Sequence, residues 1–154
     1  MAKRSAGILM YRRQPHLEVL LVHPGGPFWA KKDLGAWSIP KGEYAGGEEP
    51  LAAARREFEE ETGKRVEGDV VSLGDVVQPG RKVVAAFALE GEFDPKELRS
   101  NLFELEWPPR SGRKKSFPEV DRAGWFSPDE ALRRILSGQR DLITRLVAAL
   151  GETS

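Results

Sequence analysis

Residues 50–63, PLAAARREFEEETG, narrow what this chain can become more than any other stretch. Pro50 suits the first turn of a helix, where its missing N–H is not needed. Gly63 suits the left-handed position that ends one. Between them Leu51, Ala54 and Phe58 recur at spacings of three and four, which makes an apolar stripe that must be buried. Four carboxylates then crowd into five positions: Glu57, Glu59, Glu60 and Glu61. Like charges at helical spacing repel by roughly a few tenths of a kcal/mol per pair. At about 100° per residue, Glu57, Glu60 and Glu61 share an arc of about 100°, while Glu59 lies on the other side. Arg56 falls beside Glu60. Acidic groups held together beside a core are tolerable when a cation sits between them. Donors that are all oxygen suit a hard ion such as Mg²⁺ or Mn²⁺, which in turn recruits phosphate. Taken alone, the run EEE also reads as a solvated helix face.

The rest of the chain frames this helix with strands. Apolar runs at 6–11 and 17–23 predict two strands joined by a turn. Residues 23–35 carry Pro24, Gly25, Gly26 and Pro27 and read as a loop, although it also holds Phe28 and Trp29. A short strand is expected at 37–39. Two more are expected at 70–77 and 82–90, joined by a turn at 78–81. Residues 94–99 read as one helical turn, 108–115 as a basic loop, and 120–126 as a late strand. Ser127 and Pro128 open a helix that should run to about residue 137, with Gly138 as its stop. An amphipathic helix follows at 141–150. Strands, helix, strands and two helices together predict an α/β or α+β domain with helices packed on a sheet.

The 154 residues suit one domain with one core, taken here as residues 1–154. Lys and Arg number 24 and Asp and Glu 24, so there is no global basic field for nucleic acid. DNA is not expected as a partner, and long RNA is disfavoured. The absence of Cys excludes disulfides and suits a reducing compartment. No apolar run approaches the roughly 20 residues needed to span a bilayer, and the first ten residues are too weakly apolar for a signal peptide. A cytoplasmic protein without a membrane partner is the expectation. Oligomeric state leaves no mark in the sequence.

Residues 42–64, GEYAGGEEPLAAARREFEEETGK, carry a longer pattern. Gly42, Glu48, Arg56, Glu57, Glu60, Glu61 and Gly63 stand in register with Gly, five residues, Glu, seven residues, Arg-Glu, an aliphatic, any residue, Glu-Glu, any residue, Gly, an aliphatic. This resembles the signature box of the Nudix hydrolases. Phe58 stands where an aliphatic is usual. Lys64 stands where an apolar residue is usual, and Val66 is expected to take over its packing. GILMY, LEVLLVH, WSIPKGE and WFSPDEAL are also similar to the family, so the likeness covers about residues 5–150.

The resemblance implies an α/β/α sandwich with a mixed β-sheet and a catalytic loop–helix–loop at 42–64. It implies hydrolysis of a nucleoside diphosphate linked to another group, with water attacking a phosphorus of the bridge. By the same likeness Glu57, Glu60 and Glu61 become ligands of Mg²⁺ or Mn²⁺, together with the Gly42 carbonyl. Glu119, six residues before Trp125, completes the metal site, with Glu104 and Glu106 as competitors. Glu57 and Glu119 compete as general base, and Glu57 is preferred. Arg56 orients a carboxylate. Glu48 either partners Arg56 or is an outer metal ligand.

For the substrate, Lys41, Tyr44, Arg81 and Lys114 are binding candidates. Phe28, Trp29, Trp37, Phe103 and Trp107 are further stacking candidates. Arg110, Arg113 and Lys115 beside Lys114 would suit a polyphosphate. WSIPKGEY and FPEVDRAGWF look most like small bacterial members grouped with diadenosine polyphosphate hydrolases. A dinucleoside polyphosphate such as diadenosine tetraphosphate is therefore the first reading, and a (d)NTP pyrophosphatase the second. A non-catalytic nucleotide-binding regulatory module is the alternative of another class. Such modules usually lose the box glutamates, and here all are present.

Overall fold

The computed structural model describes residues 3–13 and 15–151. Strand β1 (Arg4–Arg12) pairs antiparallel with β2 (Glu18–Pro24) and with β3 (Lys41–Glu43). Helix α1 (Pro50–Thr62) follows, then the hairpin β4 (Val71–Gln78) and β5 (Lys82–Glu90). A separate hairpin, β6 (Leu102–Glu106) and β7 (Lys114–Pro118), precedes β8 (Val120–Phe126). Helices α2 (Pro128–Arg134) and α3 (Arg140–Ala149) close the chain. The main sheet runs β4-β5-β1-β2-β8, with β3 also on β1. It is mixed, because β5 lies parallel to β1 and the other pairs are antiparallel.

Strand β1 is apolar on both sides because both sheet faces are covered. Leu9, Val19 and Leu21 pack with Ala131, Leu142 and Leu146 of α2 and α3. Ile8, Met10 and Leu20 point the other way, onto Ala54 and Phe58 of α1. The fold is the expected sandwich. In α1, Pro50 occupies the first turn, and Gly63 ends the helix at φ 86° with its N–H on the Glu59 carbonyl at 2.7 Å. Val66 is buried in the α1 cluster, and the Lys64 ammonium reaches out to the Glu92 carbonyl.

Several elements differ from the sequence reading, among them strand β3, which it does not foresee at 41–43. The segment expected as a basic loop at 108–115 is largely the end of a hairpin, and Lys114 and Lys115 belong to β7. In β6, Phe103 and Leu105 are half-buried while Glu104 and Glu106 are exposed, the alternation of a strand with one covered face. Helix α2 stops at Arg134 rather than near 137. There the chain at Trp37 competes for its last groups. Trp37 N–H takes the Arg134 carbonyl at 2.9 Å, and Leu136 N–H donates to Trp37 O at 2.8 Å. Gly138 therefore sits in a short 3-10 turn, Ser137–Gln139, instead of capping α2. Residues 37–39 make isolated bridges, Val22 to Ser38 and Trp37 to Ile135, and not a strand.

The Trp37 ring is 4% exposed, and its Nε1–H donates to Asp33 Oδ1 at 2.7 Å. Asp33→Ala strands that buried donor. A loss of about 1–3 kcal/mol is expected, read as a lower urea midpoint at unchanged slope. Among the described residues no helix is long and apolar enough to cross a membrane.

Candidate active site

Glu57 and Glu60 of α1, with Glu48 just before the helix, surround Arg56. Its Nε and Nη2 donate to the two Glu48 oxygens at 3.0 Å each, a two-pronged pair. Its Nη1 donates to Glu57 Oε1 at 2.8 Å and approaches Glu60 Oε2 at 3.3 Å. One guanidinium thus gathers three carboxylates, and they hold its pKa above the usual arginine value, the Glu48 hydrogen bond most of all.

Glu57 is buried against the backbone of Gly42. A Cβ at position 42 would sit 2.1 Å from the Glu57 carboxyl carbon, so only glycine leaves the carboxyl its place. Glu61 accepts from the Lys41 backbone N–H at 3.2 Å. Burial pushes the Glu61 carboxyl up to about 8, and the charges of Glu57 and Glu119 push the same way. Burial also raises Glu57, with the Glu60 charge adding to it. Glu119 is raised by burial and by Glu60. Lys41 is lowered by burial, and Glu61 opposes that shift.

The hairpin root explains how Glu119 reaches this group from 58 residues beyond Glu61. Asn101 N–H donates to the Glu60 carbonyl at 2.8 Å, and Glu119 N–H donates to the Asn101 carbonyl at 2.8 Å. The competitors go elsewhere. Glu104 is exposed on β6, and Glu106 accepts from the Arg110 N–H at 2.8 Å.

Among the described residues no three acidic, His or Cys side chains close into a metal cage; the glutamates are spread around Arg56. Their chemistry nevertheless fits a hard divalent ion. All donors are oxygen, and Glu57, Glu61 and Glu119 are each harder to ionise than a free carboxyl, the condition a nearby cation relieves. Native Glu61 holds its proton more tightly than unfolded Glu61 does. Its contribution to stability is therefore full below the ordinary value of 4.5 and is lost as pH rises through about 8. In chelator, the urea midpoint should fall across that window. A divalent ion should restore it, and Glu61→Gln should make the fall smaller, leaving the part that Glu57 and Glu119 contribute.

Beside these carboxylates lies a cleft of about 590 Å³. Lys41, Glu61 and Glu119 line it, together with Trp29, Ser38 and Gln78. The loop bearing Trp29 is tied down by His23, which is fully buried. The His23 ring meets Asp121 Oδ1 at 2.8 Å and the Lys32 carbonyl at 2.6 Å. Of the expected substrate contacts, Lys41 lines the cleft, and Tyr44, Arg81 and Lys114 do not. Tyr44 packs on the α1-side core. Arg81 is exposed at φ 60° in the β4–β5 turn, and Lys114 is exposed on β7. Phe28 and Trp107 meet edge to face at 5.5 Å on the surface. Sequence reasoning missed Lys82, Gln78 and the buried Gln139 behind it. Gln139 follows a glycine in a short linker, where no periodicity marks it.

A family model for the NUDIX domain matches residues 1–146. Among curated proteins, the chain is 33% identical over 137 residues to an octanoyltransferase of Myxococcus xanthus. That match covers 88% of this chain, and the chain spans only 34% of that relative's length. Among solved structures, a C. elegans Ap4A hydrolase binary complex matches at TM-score 0.65 and 20% identity, over 96% of this chain and 98% of that one. The NUDIX domain of Shewanella oneidensis NrtR complexed with ADP ribose matches at 0.67 and 16%, over 97% and 89%. A MutT protein from Methanosarcina mazei matches at 0.60 and 21%, over 98% and 96%. These likenesses speak to the fold, and the family model speaks to descent: the chain belongs to the NUDIX domain family.

Proposed function

We propose that this chain is a divalent-metal-dependent pyrophosphohydrolase that cleaves a nucleoside diphosphate linked to a second group. Mg²⁺ or Mn²⁺ is the ion. A dinucleoside polyphosphate such as diadenosine tetraphosphate is the first-choice substrate. The observation that carries the reading is that Glu57 and Glu60 gather on Arg56 along α1, Glu61 and Glu119 join their field, and a cleft lies beside them.

When bound, the ion supplies charge neutralisation at the phosphate bridge and a more acidic water. Glu57, Glu60, Glu61, Glu119 and the Gly42 carbonyl would hold it. Glu57 also suits the role of general base, since its raised pKa favours accepting a proton. Arg56 holds Glu57 and Glu60 in place from behind, itself anchored by Glu48. Lys41 offers a partly desolvated ammonium to a phosphate. We read residues 1–154 as one such domain, working in the cytoplasm on small nucleotides rather than on DNA, long RNA or membrane.

Two structural neighbours carry nucleotide names, an Ap4A hydrolase and an ADP-ribose complex, which supports a substrate of this class. A (d)NTP is the second reading, supported by the MutT neighbour. The octanoyltransferase match covers a third of that protein, and acyl transfer is not carried to this chain. The test is a nucleotide screen with Mg²⁺ in ¹⁸O-labelled water, read by mass spectrometry. Diadenosine tetraphosphate should give two nucleotide products, one bearing ¹⁸O. No cleavage of any nucleotide with either ion would overturn the proposal.

A further inference from the structure

A chain of hydrogen bonds beneath the cleft has only one consistent direction. Ile39 contributes a backbone N–H, which can only donate, and it meets Gln139 Oε1 at 3.0 Å. That fixes the Gln139 amide, which is fully buried. Its Nε2 must then face the other way, toward Ser38 Oγ at 3.0 Å and Gln78 Oε1 at 3.0 Å. The Ser38 hydroxyl spends its own hydrogen on the Ile39 carbonyl at 2.7 Å, so it accepts from Gln139. Gln78 likewise accepts through its oxygen. Its Nε2, with two hydrogens, is left on the other branch of a half-buried side chain that lines the cleft. A side-chain amide can normally present either its donor or its acceptor end by rotating. Here Gln139 removes that freedom.

We infer that Gln78 is a specificity-determining residue of this cleft. It donates from Nε2 to a ring acceptor of a purine base, and Gln139 is the positioning residue that keeps the donor end forward. The inference rests on the nucleotide reading above and adds the base contact. The anionic end of a nucleotide belongs beside Lys41 and the carboxylates that would hold a cation. The heterocycle is left with the apolar and aromatic walls, including Ile135, Leu136 and Trp29. A flat ring with a lone pair at its edge is what such walls and one fixed donor accept. A purine brings the larger face and three candidate ring nitrogens. The contact is with the amide nitrogen alone, so an exocyclic amino group directed at Gln78 would be repelled and a ring nitrogen or carbonyl accepted.

The test measures equilibrium binding and Mg²⁺-dependent turnover of adenosine nucleotides carrying the parent base or 1-deaza-, 3-deaza- or 7-deazaadenine. In the unaltered protein one of the three deaza bases should weaken binding about five- to tenfold, the loss of one hydrogen bond. In Gln78→Leu that base should bind no worse than the parent. Gln139→Leu, which frees Gln78 to rotate, should also compress the difference. Gln139→Glu offers an acceptor to Gln78, turns the amide round, and should penalise the parent base itself. A flat deaza series in the unaltered protein, or one that persists in Gln78→Leu, overturns this inference and leaves the hydrolase reading standing. Absence of any nucleotide binding overturns both.

Discussion

Glu60→Gln and Glu61→Gln should each fold normally and lose at least about a hundredfold in turnover with Mg²⁺. The exchange keeps size and shape and removes one negative charge. Glu61 still has an oxygen to accept from the Lys41 N–H, now at 3.2 Å, and Glu60 still has one to face Arg56. What disappears is charge to set against the ion, which is worth several kcal/mol of transition-state stabilisation, and about 1.4 kcal/mol is tenfold in rate. Neutralising Glu61 should even steady the metal-free protein at high pH, because its ionised form is the burdened one. Far-UV circular dichroism and the urea midpoint check the fold, and initial rates check the chemistry. Normal turnover in both variants would remove α1 from the chemistry altogether.

Phe58→Ala should cost about 3–5 kcal/mol. The ring is fully buried between α1 and the sheet, in the cluster that holds Ile8, Met10 and Leu20. Deleting it leaves a cavity that a helix pinned at both ends cannot close. The loss is a large share of the roughly 5–15 kcal/mol that keeps a domain folded. Phe58→Leu, an aliphatic of the kind usual at this place, should cost less than about half as much. Denaturant unfolding of both variants gives the comparison. An alanine variant within 1 kcal/mol of the parent would mean that α1 is not seated by this ring.

The legible parts of the molecule are those built from neighbours in sequence. Pro50, Gly63 and the Leu51–Ala54–Phe58 spacing specify α1, and the structure ends it on the expected residues. Strands β1, β2 and β5 are readable because covered strands are plainly apolar. The 102–118 hairpin was less so. Phe103 and Leu105 show the right alternation, but the run is short and interrupted by glutamates. The stop of α2 was misplaced because Gly138 is a plausible local signal, whereas the real terminator is Trp37, almost a hundred residues away.

The site divides along the same line. Sequence alone determined that Glu57, Glu60 and Glu61 share an edge with Arg56 beside them, because helical pitch is a local property. Tertiary structure alone decided that Glu119 joins them through Asn101, while Tyr44, Arg81 and Lys114 stay out of the cleft. It also brought Gln139 against Ser38 and Gln78, residues separated by 101 and 61 positions. Strand order and loop path set such meetings, and neither leaves a periodic trace in the residues that finally touch.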